Sequence, residues 1–250
     1  EQAEVAFKLL KGMLLTENLE FNDIVRQLNY VENILSVQDD KGQFTQHYQI
    51  LNDVRSNYYA GASFDNGFPA ATGIGMQAGG IILEIYAVSA KKSVTIAPIK
   101  NPLQVDAYNY SNNVLVGDAT AGQQKKTTPK FERAKFIEIN SEASIYISGT
   151  AAIHNELTLG IGDPVKQTET TIENIAGLIS IENLQATGIN GINSDPEYIF
   201  IRVYIKLQEF LDEVKNICGK RFPGIPVHFL IADVCRDNLL VEIEGIASFN

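Results

Sequence analysis

Cysteine, clustered cations and long apolar runs are what these 250 residues have least of. The two cysteines, Cys218 and Cys235, form no C-x-x-C pair and have no histidine at ligand spacing. Neither a zinc site nor a disulfide framework is indicated, so no metal ligand is assigned. Such cysteine usage fits a reducing, cytoplasmic setting. No stretch of eighteen apolar residues occurs, which argues against a membrane span. Cations are outnumbered: 20 Lys and Arg stand against 30 Asp and Glu, a formal net charge of −10. Affinity for a phosphate backbone comes from clustered Lys and Arg that release counterions, so nucleic acid is not an expected partner.

What is present is the composition of a globular protein, 45% hydrophobic and 20% charged. The length suits one large domain or two smaller ones. The chain opens at Glu1-Gln2-Ala3 inside a helical pattern and without an initiator Met, which leaves a preceding or targeting segment open. Val5, Leu9 and Met13 recur at helical spacing over 3–15 and predict an amphipathic helix facing the core with that stripe. A strand is expected over 23–35, then a helix over 45–59 with Tyr48, Leu51, Val54 and Tyr58 on one face. After Phe68-Pro69, two strands joined by Gly79-Gly80 read as a hairpin.

The later part runs through the same order with two strands in front. Segments 131–139 and 143–153 read as a hairpin, and 165–185 as one long helix opened by Asp163 as N-cap and Pro164 at the first helical position. A strand at 198–207, a helix at 210–218, then Phe222-Pro223 and two closing strands follow. Phe68-Pro69 against Phe222-Pro223, and Glu84 against Glu242, recur at nearly constant offset, the signature of an internal duplication. The excess in the second copy falls at about Cys235 to Asn238. The expected organisation is a first half over 1–90, a connecting segment over 91–130 with a mobile loop at 117–130, and a second half over 131–250.

One stretch carries chemistry. In I-A-D-V-C-R-D-N-L-L-V-E-I-E (231–244), period-two alternation puts Val241 and Ile243 on one strand face and Glu242 and Glu244 on the other. The two acids read either as solvated carboxylates on a half-exposed strand or as groups in apolar company. Apolar surroundings raise a carboxyl pKa, the condition for a general acid. Glu242 is the candidate acid and Glu244 its rival on the same face. Arg55, beside Val54 and Tyr58, and Arg133, within F-E-R-A-K-F, read from their surroundings alone as surface charges; Arg236 reads as a loop charge. His47 suits a helix surface and His228 a strand, with nothing to pair His154 and His228. The glycine-rich pieces G-I-G-M-Q-A-G-G and L-G-I-G-D lack the strand, G-x-G-x-x-G, helix order of dinucleotide binding and are assigned to turns.

Seven segments in order, N-D-V-R-S-N-Y-Y (52–59), G-F-P-A-A-T-G-I-G-M (67–76), N-P-L-Q-V-D-A-Y-N-Y (101–110), F-E-R-A (131–134), I-S-G-T-A-A-I (147–153), G-D-P-V-K-Q-T-E-T-T-I-E-N-I (162–175) and A-D-V-C-R-D-N-L-L-V-E-I-E (232–244), resemble the chorismatases. Those are tandem versions of the RidA/YjgF fold. The resemblance implies an α+β protein of two tandem RidA/YjgF-like halves, each a mixed sheet with two helices on one face. It implies cleavage of the enolpyruvyl ether of chorismate to pyruvate plus a hydroxybenzoate, 3-hydroxybenzoate in particular, or a dihydroxycyclohexadiene carboxylate, without a cofactor. Carried over by motif, the acid falls on Glu242, carboxylate binders on Arg55 and Arg133, a pocket tyrosine on Tyr108 or Tyr110, and a small pocket wall on Gly149. Cys235 stands where hydroxybenzoate-forming members carry a cysteine, as nucleophile or pocket wall. A small dicarboxylate is the implied partner, and an oligomer or pseudo-trimer the implied assembly. The rivals are an enamine or imine deaminase, which would carry an arginine near Ala71 or Ile225, and a non-catalytic metabolite-binding protein, whose pocket at Glu242 would lack a cation.

Overall fold

The computed structural model describes residues 1–40, 43–89, 93–116 and 126–249, so most of the loop read as mobile over 117–130 lies outside the described residues. The first half runs α1 (Gln2–Thr16), β1 (Ile24–Glu32), a small antiparallel pair β2 (Val37–Asp40) and β3 (Gln43–Gln46), α2 (His47–Tyr59), β4 (Ala70–Met76) and β5 (Ile81–Ala87). Helix α1 forms where expected but buries the opposite stripe. Ala3, Phe7, Leu10 and Leu14 are covered, while Val5, Leu9 and Met13 are exposed. Both stripes are apolar, and the aromatic one wins because Phe7 stacks on Tyr58 at 5.5 Å and meets Phe21 at 6.4 Å. Helix α2 buries Leu51 and Val54 as expected, and also Gln49, Asn52 and Arg55, a polar face that periodicity of apolar residues does not reveal.

β6 (Val94–Ile99) pairs antiparallel with β7 (Ala134–Ile139), which forms the expected hairpin with β8 (Glu142–Ala151). A short pair, β9 (Ile153–His154) with β10 (Leu157–Thr158), precedes the helices. The long helix expected over 165–185 is two, α3 (Pro164–Ile179) and α4 (Ile181–Ala186). Ser180 between them is extended (ψ 147°), and its hydroxyl accepts from Asn183 N to cap the second. Asp163 caps α3 by accepting from Lys166 N at 2.9 Å. β11 (Glu197–Ile205), α5 (Leu211–Arg221), β12 (Val227–Ile231) and β13 (Val241–Ser248) complete the half.

Sheet order shows the duplication and corrects two hairpins. The first sheet reads β4-β1-β5 and the second β12-β11-β13-β8-β7-β6. β4 is parallel to β1 and β12 to β11, whereas β5 and β13 are antiparallel to the same strands. The strands expected as hairpins therefore straddle a central strand. A β-α-β crossover takes one side of that strand, leaving the other for the last strand. At Gly79 (φ +110°) and Gly80 (φ +72°) the chain makes this step over the end of β1, where Glu32 N donates to Gly80 O.

Both central strands carry a bulge near their start, between Ile24 and Arg26 opposite Ala87 and Tyr86, and between Tyr198 and Phe200 opposite Ala247 and Ile246. Counting from these bulges sets Glu84 against Glu244 and Ile82 against Glu242. The expected equivalence of Glu84 with Glu242 is thus two residues out.

Helices α3 and α5 cover one face of the six-stranded sheet, burying Ile145, Ile147, Ile175, Ile201, Val203, Val241 and Ile243. Its other face meets the first half along β4. Ala71 N donates to Ser148 Oγ (2.9 Å), Gly75 N to Asp233 O (2.7 Å), and Glu132 N to Pro69 O (3.0 Å). The halves therefore close on the strand face that carries Glu242. No helix among the described residues is long and apolar enough to cross a membrane.

Candidate active site

β13 lies between β11 and β8, so its acids cannot turn to solvent at a sheet edge. Glu242 is registered with Tyr204 on one side and Ala151 on the other, and Glu244 with Arg202. They are 4% and 0% exposed. Neighbours two residues apart on one face, they meet opposite surroundings. Glu244 is enclosed by donors: Arg202 Nη1 at 2.5 Å, Tyr204 OH at 2.9 Å, Arg26 Nη2 at 3.3 Å and the Thr72 hydroxyl. Four donors match the acceptor capacity of an ionised carboxylate. Glu242 instead faces a cavity, and burial pushes its pKa up to about 8, helped by Glu244 and opposed by Arg133.

Two connected spaces meet at Glu242. The outer cleft, about 590 Å³ including its mouth, is lined by Gln46, Tyr48, Gln49, Tyr110, Phe131, Arg133, Gly149, Cys235, Arg236, Leu239 and Glu242. An inner lobe of about 300 Å³ shares Tyr48, Phe131, Gly149, Cys235 and Glu242 and adds Asn29, Arg55, Ala71, Thr72 and Gly73. Volumes of this size take small metabolites. Walls come from both halves: β1, α2 and β4 from the first, β8, β13 and the loop before β13 from the second.

The two predicted arginines converge here. Arg133, 3% exposed, donates from Nη2 to Val105 O and to Tyr110 OH (2.7 Å), while its Nε has no partner among the described residues. Arg55, 2% exposed, donates from Nη2 to Asn52 Oδ1, and its Nε is likewise unpaired, as is Asn52 Nδ2. Buried donors left open beside a cavity are where an anionic ligand would complete the hydrogen bonding. Tyr110 lines the cleft. Tyr108 is turned away, donating to Asp106 Oδ2 (3.0 Å) and Glu132 Oε2 (3.4 Å).

Gly149 does more than keep a wall low. A Cβ there would lie 2.0 Å from Glu242 Oε1 and 2.9 Å from Thr72 Cγ2, so the glycine is what lets Glu242 adopt its position. Gly149 N also donates to Thr72 Oγ1 at 3.0 Å. Cys235 lines both spaces, and burial, then Glu242, push its thiol up to about 12. An un-ionised thiol is a poor nucleophile, so the position suits a wall.

Arg236, expected as a loop charge, is on the cleft wall. It donates to Glu156 O at 2.9 Å and lies 5.1 Å from the Tyr110 ring centre. Sequence reading missed Tyr48, Asn29 and Thr72, whose types carry no signal of their own, and also the Arg26–Arg202 clamp. The alternation of Arg26 and Arg202 within apolar strands was the available signal. His154 bonds Asn174 Oδ1 (3.1 Å), His47 the Glu32 carbonyl (3.1 Å), and His228 meets Phe200 edge to face, so none joins the cleft. No cluster of metal-ligating residues occurs among the described residues.

Mixed sheets with helices on one face, duplicated in tandem around a cavity holding a buried acid and two arginines, define an α+β protein of two similar halves with a site between them. No family model matches the chain. It is 32% identical over 239 residues to a 3-hydroxybenzoate synthase of Streptomyces hygroscopicus, covering 93% of this chain and 65% of the relative. It is 30% identical over 236 residues to a chorismatase of the same organism, covering 94% and 64%. A chorismatase crystal structure superposes with a TM-score of 0.82 at 28% identity, covering 98% of this chain and 70% of that one. In sequence and in fold the chain is similar to these proteins, and it spans slightly under two thirds of the length of the curated relatives.

Proposed function

We propose that the chain cleaves the enolpyruvyl ether of chorismate, releasing pyruvate and a hydroxybenzoate, with Glu242 as general acid. The single observation that carries this reading is a carboxyl kept protonated near neutral pH in the same cavity as two buried arginines with unpaired donors. In the proposed step Glu242 delivers its proton to the terminal methylene carbon of the enol ether, leaving an oxocarbenium ion. Water adds to that cation, and the hemiketal collapses by breaking the ether bond to give pyruvate and the ring diol. Loss of one water from the diol gives the hydroxybenzoate, so that chorismate becomes pyruvate plus hydroxybenzoate in balance. Capture by the substrate's own hydroxyl is the variant of this step that bypasses the free diol. Arg55 and Arg133 hold the two carboxylates, which an anionic protein must do with local positive charge. Cys235 and Gly149 shape the wall beside the reacting carbon. The sequence relatives and the chorismatase-like fold support the same chemistry.

Incubating the full-length chain with chorismate and measuring pyruvate and aromatic product tests the reading. Equimolar pyruvate and 3-hydroxybenzoate are expected, with a rate that falls above about pH 8 as Glu242 loses its proton. No pyruvate would sink the proposal, and ammonia from 2-aminoacrylate would favour a deaminase instead.

A further inference from the structure

We infer that Glu244 is a positioning residue for Glu242: a fixed negative charge, locked in place by both halves, that keeps the neighbouring acid in its protonated form. The inference rests on Glu242 being the acid and adds to its burial a second cause that keeps it one. Glu244 is fully buried and takes donors from four side chains on three other strands. Arg26 on β1 and Thr72 on β4 come from the first half, and Arg202 and Tyr204 on β11 from the second.

The clamp is one-sided. Arg26 lies over the rings of Tyr86 (5.8 Å) and Tyr146 (5.5 Å), and Arg202 over Phe200 (5.3 Å). Tyr146 and Phe200 are both registered with Ile246, two residues past Glu244 on the side away from Glu242. Both cations therefore reach past Glu244 on the side away from Glu242, and Arg202 Nη1 also donates to Tyr204 OH and Tyr30 OH at 3.3 Å. Facing Glu242 from elsewhere are Arg133 ahead of β7, Tyr48 and Arg55 of α2, Tyr110, and Cys235 and Arg236 of the loop before β13. Among these only the arginines carry charge at neutral pH, and they favour the ionised acid. Glu244 is the negative charge that opposes them. A like charge on the same strand face, about 7 Å away at two residues' rise, raises the pKa of Glu242 by Coulomb repulsion.

The arrangement also uses the duplication. Glu84, at the matching place in the first half, accepts from Tyr86 OH (3.1 Å), and no arginine pairs with it among the described residues. Only the second copy, lying against the first, has gained one.

The test titrates Glu242 directly by the infrared carbonyl band of its protonated carboxyl in the ligand-free protein, assigned by its loss in Glu242→Gln. In Glu244→Gln the midpoint is expected to fall to lower pH, and the alkaline limb of kcat/KM to move with it. In Arg202→Gln, which uncovers the Glu244 charge, both are expected to move to higher pH. Opposite shifts from two members of one clamp are not produced by loosened packing, and Arg202→Gln keeps the test decisive should Glu244→Gln fail to fold. Midpoints unmoved in both variants, or moved in the same direction, overturn the inference. Activity surviving in Glu242→Gln would instead remove the acid assignment on which it rests.

Discussion

β5 and β13 descend from one duplicated element, antiparallel to the central strand of each half, yet their acids differ in kind. β5 is an edge: among the described residues only β1 pairs with it, and Glu84 stays half-buried, bonded to the Tyr86 hydroxyl at 3.1 Å. β13 is flanked on both sides, by β11 and β8, and roofed by the first half, so Glu242 and Glu244 are sealed in. The leading hairpin β7–β8 of the second half makes that difference, because it turns an edge into an interior strand. An edge carboxylate keeps its water. An interior one must be clamped by cations or carry a proton, and β13 does both, two residues apart.

The sharpest break of this comparison is Glu242→Gln. Activity is expected to fall by about 10²–10⁴-fold, the usual worth of positioned proton transfer, with chorismate still bound. The same variant reports on stability. A carboxyl whose folded pKa is raised to about 8 binds more protons folded than unfolded between its ordinary value and 8, so wild-type stability declines as pH rises through that window. Glutamine removes the decline, at most about 1.4 kcal/mol per pH unit, so chemical denaturation at pH 9 should find Glu242→Gln more stable than wild type. If it is no more stable there, Glu242 is not protonated in the native state.

A middle effect is expected at Arg133. In the proposed role, replacing it with Leu would remove charge-assisted hydrogen bonds to the substrate, of about 1.5–3 kcal/mol, and should raise KM roughly 10–100-fold. It also removes the cation that opposes the proton on Glu242, so the alkaline limb should shift upward. An unchanged KM would take Arg133 out of the binding site. The smallest effect belongs to the edge: Glu84→Gln should change turnover less than twofold and stability within about 0.5 kcal/mol by thermal melting, as for ordinary surface positions. A large loss there would mean that the two copies share a function they do not share in geometry.

Much of the fold was legible. Alternation over 241–244, the Asp163-Pro164 helix start and the recurring strand-helix-strand order are local or periodic signals, and each appears in the structure where expected. Strand neighbours were not legible. Gly79-Gly80 signals a reversal without saying whether the next strand lands beside the last or across β1. Nor could apolar spacing choose between two stripes of α1, since Phe7 wins through aromatic partners at positions 21 and 58. In the site, Glu242 was visible as an acid in apolar company, whereas Arg55 and Arg133 read locally as surface charges and needed the family resemblance. Tyr48, Thr72 and Asn29 sent no signal, because their place depends on which elements meet.

By itself the sequence determined the period of each element, the deficit of cations, the duplication and the face on which Glu242 and Glu244 lie, all properties of neighbours along the chain. Which acid is clamped by cations and which faces the cavity was decided only by tertiary structure. Both side chains are glutamate on the same strand face, and the distinction is made by Arg26, Thr72, Arg202 and Tyr204, brought to one of them from strands as many as 218 residues away (244 − 26). The energy of a buried charge depends on what surrounds it in space, and that is set when the two halves close.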